Sequence, residues 1–398
     1  MNETIQKIRS KALSVGVLGT GATVAGYFIA GPEQFFQSWL IAFLYVLAFA
    51  VGGLGFLMIH HLVAGRWSFV LQRPYEAAAR TFPLILILFI PLLFGMEYLY
   101  SWVNPEAHHN HLLVELVHAK SMYLNVPDFQ LRAAIYFAVW IGLTLLLTRW
   151  SRKQDASHGL VEAEAYGRKM RMLSGIGLVI FGLASTFAAF DWVMSVEPMW
   201  YSAIYGALIM MGQGLSLLCL LAIVAYKLSA DKEYGAAIGS QQYHDIGNMM
   251  FAFLILLTYM AVGEYIILWS GNLPEEVEHY ILRDHAPWTQ LALAMAVLHF
   301  AIPFALMLLK ENKRNPKRLV KIAFFLLLMR GADYFWLVMP VLRQQNPHLH
   351  WMDVVAPIGL FGIWFYVFLG SLKSRSLLPQ HEPRFSHALE HPAGKGSH

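Results

Sequence analysis

Polar positions in this chain fall at intervals that leave ten apolar runs, near residues 12–30, 35–61, 82–103, 130–149, 172–191, 200–226, 246–270, 287–309, 319–342 and 354–372. Each run is long enough to cross a bilayer as a helix. The pattern predicts an all-α polytopic membrane protein with ten transmembrane helices. Basic residues lie between the runs and strongly favour alternate intervals. Of the 29 Lys and Arg, 24 fall on the side that carries both termini, against Lys120, Arg132, Arg283 and Arg343 on the other and Arg330 inside a run. Positively charged loops stay in the cytoplasm, so both termini are expected there.

Composition agrees with the pattern. The 398 residues are 57% hydrophobic and 14% charged, where a soluble domain carries about 25% charged residues. The pI near 9.0 reflects membrane-flanking charge rather than a basic stripe for nucleic acid. The single cysteine, Cys219, excludes an internal disulfide, a CxxCH haem site and a cysteine-ligated iron–sulfur cluster within the chain. The start, Met1 to Lys11 followed by a glycine-rich apolar run, reads as a retained first helix rather than a cleaved signal peptide.

Internal echoes suggest a duplication. Glu97-Tyr98 is followed by Trp102, Asn104, Pro105 and Glu106, and Glu264-Tyr265 by Trp269, Asn272, Pro274 and Glu275. Asp191 and Asp333 each have a proline seven residues on, Pro198 and Pro340, and Gly53-Leu54-Gly55 weakly matches Gly212-Gln213-Gly214. A shift of four helices preserves membrane orientation, so two parallel-repeat four-helix bundles are expected. The organisation that follows is a first helix over 1–33, bundles over 34–199 and 200–343, a tenth helix over 344–373, and a disordered cytoplasmic tail over 374–398.

The candidate chemistry is acidic and lies in the membrane. An intramembrane carboxylate costs roughly 2.5–3.5 kcal/mol on insertion scales and usually faces a pathway or a partner. A rise of 1.5 Å per residue puts Glu97 roughly 25 Å, Glu264 roughly 28 Å and Asp333 about 18 Å from the inner interface, with Asp191 at the outer rim. Arg330 and Asp333, three apart, can pair directly. For Glu97 and Glu264 no cation is adjacent in sequence, which suits proton carriage. His60 and His61 end the second run, where they serve as a proton-loading site or as interfacial anchors. His299 stands alone near mid-depth, as a packed structural residue or part of a path. In the outer segment, His111, Glu115 and His118 would share a helical face, a possible zinc geometry or simply a polar cap over an outer partner. No P-loop, G-x-S-x-G or H-E-x-x-H motif occurs.

Three longer strings resemble a known family. They are Met58-Ile59-His60-His61-Leu62 with Gly65-Arg66-Trp67, Arg73 and Glu76-Ala77-Ala78; Ser185 to Pro198 with Trp200-Tyr201-Ser202; and Glu264-Tyr265 through Trp269 to Glu276. They are similar to the ActF subunits of bacterial alternative complex III, within the NrfD/PsrC-like integral membrane group. The resemblance implies a non-cofactor subunit of a quinol:electron-acceptor (cytochrome c) oxidoreductase in the bacterial cytoplasmic membrane. Its partners would be an ActC-like paralogue, a multihaem cytochrome c subunit, an iron–sulfur subunit and small membrane subunits. The c-type haems and iron–sulfur clusters would belong to those partners, and menaquinol or ubiquinol would be oxidised there. The chain itself would conduct protons, with Glu97, Asp191, Glu264 and Asp333 matching an outer route and His60, His61 and Arg66 its inner end; Arg330 and His299 complete the set. A quinol-binding subunit, a secondary transporter and a pure scaffold remain as rivals.

Overall fold

The computed structural model describes residues 2–108, 110–344 and 347–380. Among them every regular element is helical, and ten helices are long and apolar enough to cross a membrane: α1 (Ile5–Ala30), α2 (Pro32–Val63), α3 (Gln72–Phe94), α4 (Val126–Asp155), α5 (Leu160–Val196), α6 (Tyr205–Leu228), α7 (Ser240–Gly271), α8 (Trp288–Leu308), α9 (Pro316–Leu342) and α10 (Met352–Lys373). The ten expected runs are therefore all present. The expected tail from residue 381 onward, His109 of the outer loop and the side chains of His108 and Arg66 lie outside the described residues.

Helix α2 is the axis of the molecule. It is apolar on every side and nearly all of its residues are buried, as expected of a helix enclosed by others. It packs against α3, α5, α6, α9 and α10. α4 lies against α5, while α7 and α9 lie against α6. Between α2, α3, α4 and α5, Phe43, Phe89, Phe137, Trp140 and Trp192 interlock, with ring centroids 4.8 Å apart for Phe89 and Trp192 and 5.8 Å for Trp140 and Trp192. Helices α1 and α10 lie side by side at small residues. A Cβ on Gly359 would stand 2.5 Å from the Thr20 nitrogen and 2.7 Å from the Gly19 carbonyl carbon. Without a hydrophobic drive between helices in lipid, such backbone proximity is what dispersion requires.

The start of α1 and the end of α10 meet, with Arg9 Nε donating to the Tyr366 carbonyl at 3.3 Å. We call this the terminal end of the molecule and the other the far end. Two irregularities matter for the site. Helix α3 contains Pro91 and stops at Phe94; Gly95 follows, and Met96–Leu99 form a separate short turn. Helix α8 contains a π-helical stretch, Ala296–Ala301, which carries His299; such wide turns need a local cause and often mark functional positions.

Candidate functional site

Ionisable side chains inside the molecule form three groups. At the terminal end a hydrogen-bonded track runs from α2 into α3 and α4. His60, buried, has Nδ1 2.8 Å from Ser68 Oγ and Nε2 3.2 Å from Gln72 Oε1. Gln72 Nε2 donates to Glu76 at 3.2 Å, which turns the amide oxygen toward His60. Glu76 also accepts from Arg73 Nη1 at 3.0 Å and from Ser151 Oγ at 2.6 Å. Arg73 Nη2 donates in turn to Asp155 at 2.6 Å, and Arg375 pairs with both Glu76 and Asp155. His61 packs beside His60, ring centroids 5.4 Å apart. Gln72, Ser151, Asp155 and Arg375 were absent from the sequence-based set. They come from α3, from α4 and from the segment after α10, so spacing carries no signal that these three parts meet.

The middle group lies between α6, α8 and α9. Arg330, fully enclosed, pairs with Asp333 and points a guanidinium nitrogen at Ser216 Oγ, 3.4 Å away. A Cβ on Gly212 would lie 2.1 Å from that guanidinium, so the glycine makes the room. His299 is within electrostatic reach of both Arg330 and Asp333, and its buried Nε2 has no hydrogen-bond partner among the described residues.

The fold separates the four carboxylates that the sequence groups together, leaving Asp333 in the middle group and the other three toward the far end. Asp191 is wholly buried and accepts from Arg132 Nε at 2.9 Å, Arg132 Nη2 at 3.0 Å and Tyr136 Oη at 2.7 Å. Glu97 follows the break in α3 and is exposed. It lines a polar cleft of about 840 Å³ with Glu33, Glu197, Glu278 and Arg343. Glu264 sits on an unbroken α7 and is 8% exposed. It has no ion pair among the described residues, and Ser202 is its polar neighbour. The matched sequence contexts of Glu97 and Glu264 thus end in different settings, because Pro91 and Gly95 interrupt α3 while α7 continues to Gly271.

A cluster beyond the spans was missed by the sequence reading. His279 Nδ1 lies 2.8 Å from Glu197 Oε2, with its ring stacked on Trp200 at 3.9 Å. Arg283 donates to the Leu337 carbonyl at 3.1 Å and lies 3.5 Å from the same carboxylate oxygen. Burial pushes the His279 imidazole down, and the Arg283 charge adds to that. Burial would raise the Glu197 carboxyl, but the His279 hydrogen bond and the Arg283 charge hold it below its ordinary value. The i, i+4 spacing of His279, in the short helix Pro274–Ile281, and Arg283, in the turn just past its end, was the available clue. The buried phenol of Tyr205 links this cluster to the others, being within electrostatic reach of Glu197, Arg283, Glu264 and Asp333.

No set of three or more His, Cys, Asp or Glu converges to hold a metal ion among the described residues. His111, Glu115 and His118 do share the exposed face of a short helix, His111–Ala119, whose Leu113 and Val117 are buried. A lipid-facing apolar groove of about 970 Å³ runs between α2, α6, α8, α9 and α10, edged by Tyr45, Trp288, Phe335 and Phe361.

Ten apolar spans around a core of enclosed, partnered charge define a multi-pass α-helical membrane protein. A scan against protein-family models finds no match to this chain, and a search of curated proteins finds none either.

Proposed function

We propose that this protein is the proton-conducting, non-cofactor subunit of a quinol-oxidising complex of the alternative complex III type. In this reading it lies in a bacterial cytoplasmic membrane, terminal end inward, with α2–α5 and α6–α9 as parallel repeats. Partner subunits hold the c-type haems and iron–sulfur clusters and oxidise menaquinol or ubiquinol. The observation that carries the reading is Glu264. It is an acid enclosed in an apolar span with no arginine paired to it among the described residues, so it can gain and lose a proton without stranding a fixed cation.

The route runs through the second bundle. His299 lies at mid-depth, the Tyr205 phenol is within electrostatic reach of Glu264, and the polar cleft with Glu97 and Glu197 opens the far side. On the inner side the His60–Gln72–Glu76 track provides the approach. Isolation of the tagged chain from its native membranes tests the assignment. Co-purification with c-type haem and iron–sulfur proteins, and quinol oxidation by the assembly, are expected. A chain that purifies alone and moves a small solute is instead a transporter.

The scaffold reading has its own support. Asp191 and Asp333 are each matched to an arginine, and a buried matched pair fixes helices rather than passing protons. In our reading these two acids anchor the bundles, and the mobile proton belongs to Glu264.

A further inference from the structure

The described chain continues past α10, and residues 374–380 turn back beneath the terminal end. We propose that this segment is a strap that seals the terminal end of the buried polar track, with Arg375 as its latch. Arg375 pairs with Glu76 and Asp155 at once and reaches Ser151 Oγ at 3.3 Å, with only 11% of its side chain exposed. It therefore joins α3 to α4 from a position more than 200 residues away in sequence.

Charge balance makes the latch specific. Glu76 and Asp155 each pair with both Arg73 and Arg375, a closed ring of four ion pairs that only the seated strap completes. Lifting the strap leaves two carboxylates sharing one guanidinium and uncovers the side of Glu76 that Arg375 occupies. Arg80 on α3 and Arg152 on α4 also face this region, and Arg80 Nη1 donates to Ser374 Oγ at 3.3 Å. The remaining attachments are few: Leu377 and Leu378 pack on the core, Pro379 is buried, and the Gln380 amide reaches Asp155 at 3.5 Å. A short segment held by one ion-paired side chain and three apolar residues opens locally, without unfolding the spans. The inference concerns access to Glu76 and holds whether or not the track carries protons.

Carboxylate labelling of the full-length protein in its native membranes tests it. A water-soluble carbodiimide with glycine methyl ester is applied to opened membranes, and mass spectrometry reads the adducts at Glu76 and Asp155. Arg375→Ala is expected to raise labelling of Glu76 by about tenfold, with Lys373→Gln leaving it unchanged. Equal labelling of Glu76 with and without Arg375 overturns the strap. If the variant does not accumulate, amide exchange on the unaltered protein decides. Slowed exchange over residues 377–380 supports the seal, and exchange at the free-peptide rate refutes it.

Discussion

Asp191 on α5 receives both a side-on pair of hydrogen bonds from Arg132 on α4, at 2.9 and 3.0 Å, and the hydroxyl of Tyr136 one turn further along. Its carboxylate has 0% exposure, whereas Arg132 retains 18% and lies over the Tyr123 ring at 3.9 Å. The pair clamps the far ends of two neighbouring spans. Asp191→Asn leaves a partly exposed guanidinium and the Tyr136 hydroxyl against a neutral amide, so the variant is expected to lose about 1–3 kcal/mol of stability. Denaturant titration of the purified protein measures this. In a double-mutant cycle with Arg132→Gln, the combined loss should fall well short of the sum of the two single losses.

The contact between α1 and α10 makes a second prediction. Gly359 has no free volume for a side chain, because backbone atoms of Thr20 and Gly19 stand 2.5 and 2.7 Å from its missing Cβ. Backbone cannot yield as a flexible side chain can. Gly359→Val should cost roughly 1–3 kcal/mol and part the two helices. Gly21, whose Cβ would meet nothing within 4 Å, should accept valine with little change. Crosslinking yield between cysteines placed on α1 and α10 reports the separation.

The far-end cluster predicts a pH dependence of known sign. In the fold, burial and Arg283 push the His279 imidazole down, while the unfolded chain protonates it near the usual 6.5. As pH falls below that value the unfolded state binds a proton that the native state refuses, so stability declines. The Glu197 carboxyl, held below its ordinary value, contributes stability above its unfolded pKa that is lost as pH falls through the folded one. Both groups act in the same direction, histidine first. Amide exchange of the helix Pro274–Ile281 should quicken on acidification, and His279→Gln should remove the earlier phase. An exchange rate that is flat across the histidine range contradicts the assignment.

The ten spans were legible in the sequence because a helix in lipid must satisfy its own backbone and present about twenty apolar residues. The break after Phe94 was not, since Pro91 and Gly95 sit in a run whose composition continues to Val103. The partners of the buried charges were hidden for a different reason. Arg132 and Arg375 enter a sequence tally as flanking charge, on the far side and in the tail. The fold carries them instead to Asp191, and to Glu76 and Asp155. Arg73 with Glu76 and Arg330 with Asp333, each three residues apart on one helix, are pairs that spacing alone could suggest. Long-range ion pairs are a property of helix arrangement, which hydropathy does not encode.

Glu264 decides the account. Proton uptake and release per electron are to be measured in vesicles containing the chain with the partners proposed for it, with Glu264→Gln beside Asp191→Asn. Glutamine keeps the size and the hydrogen bonding of Glu264 but cannot exchange a proton. The expected result is full electron transfer with proton translocation reduced by about tenfold or more, while Asp191→Asn lowers assembly and both activities together. Undiminished translocation in Glu264→Gln would contradict the proton-carrying role and leave the scaffold reading.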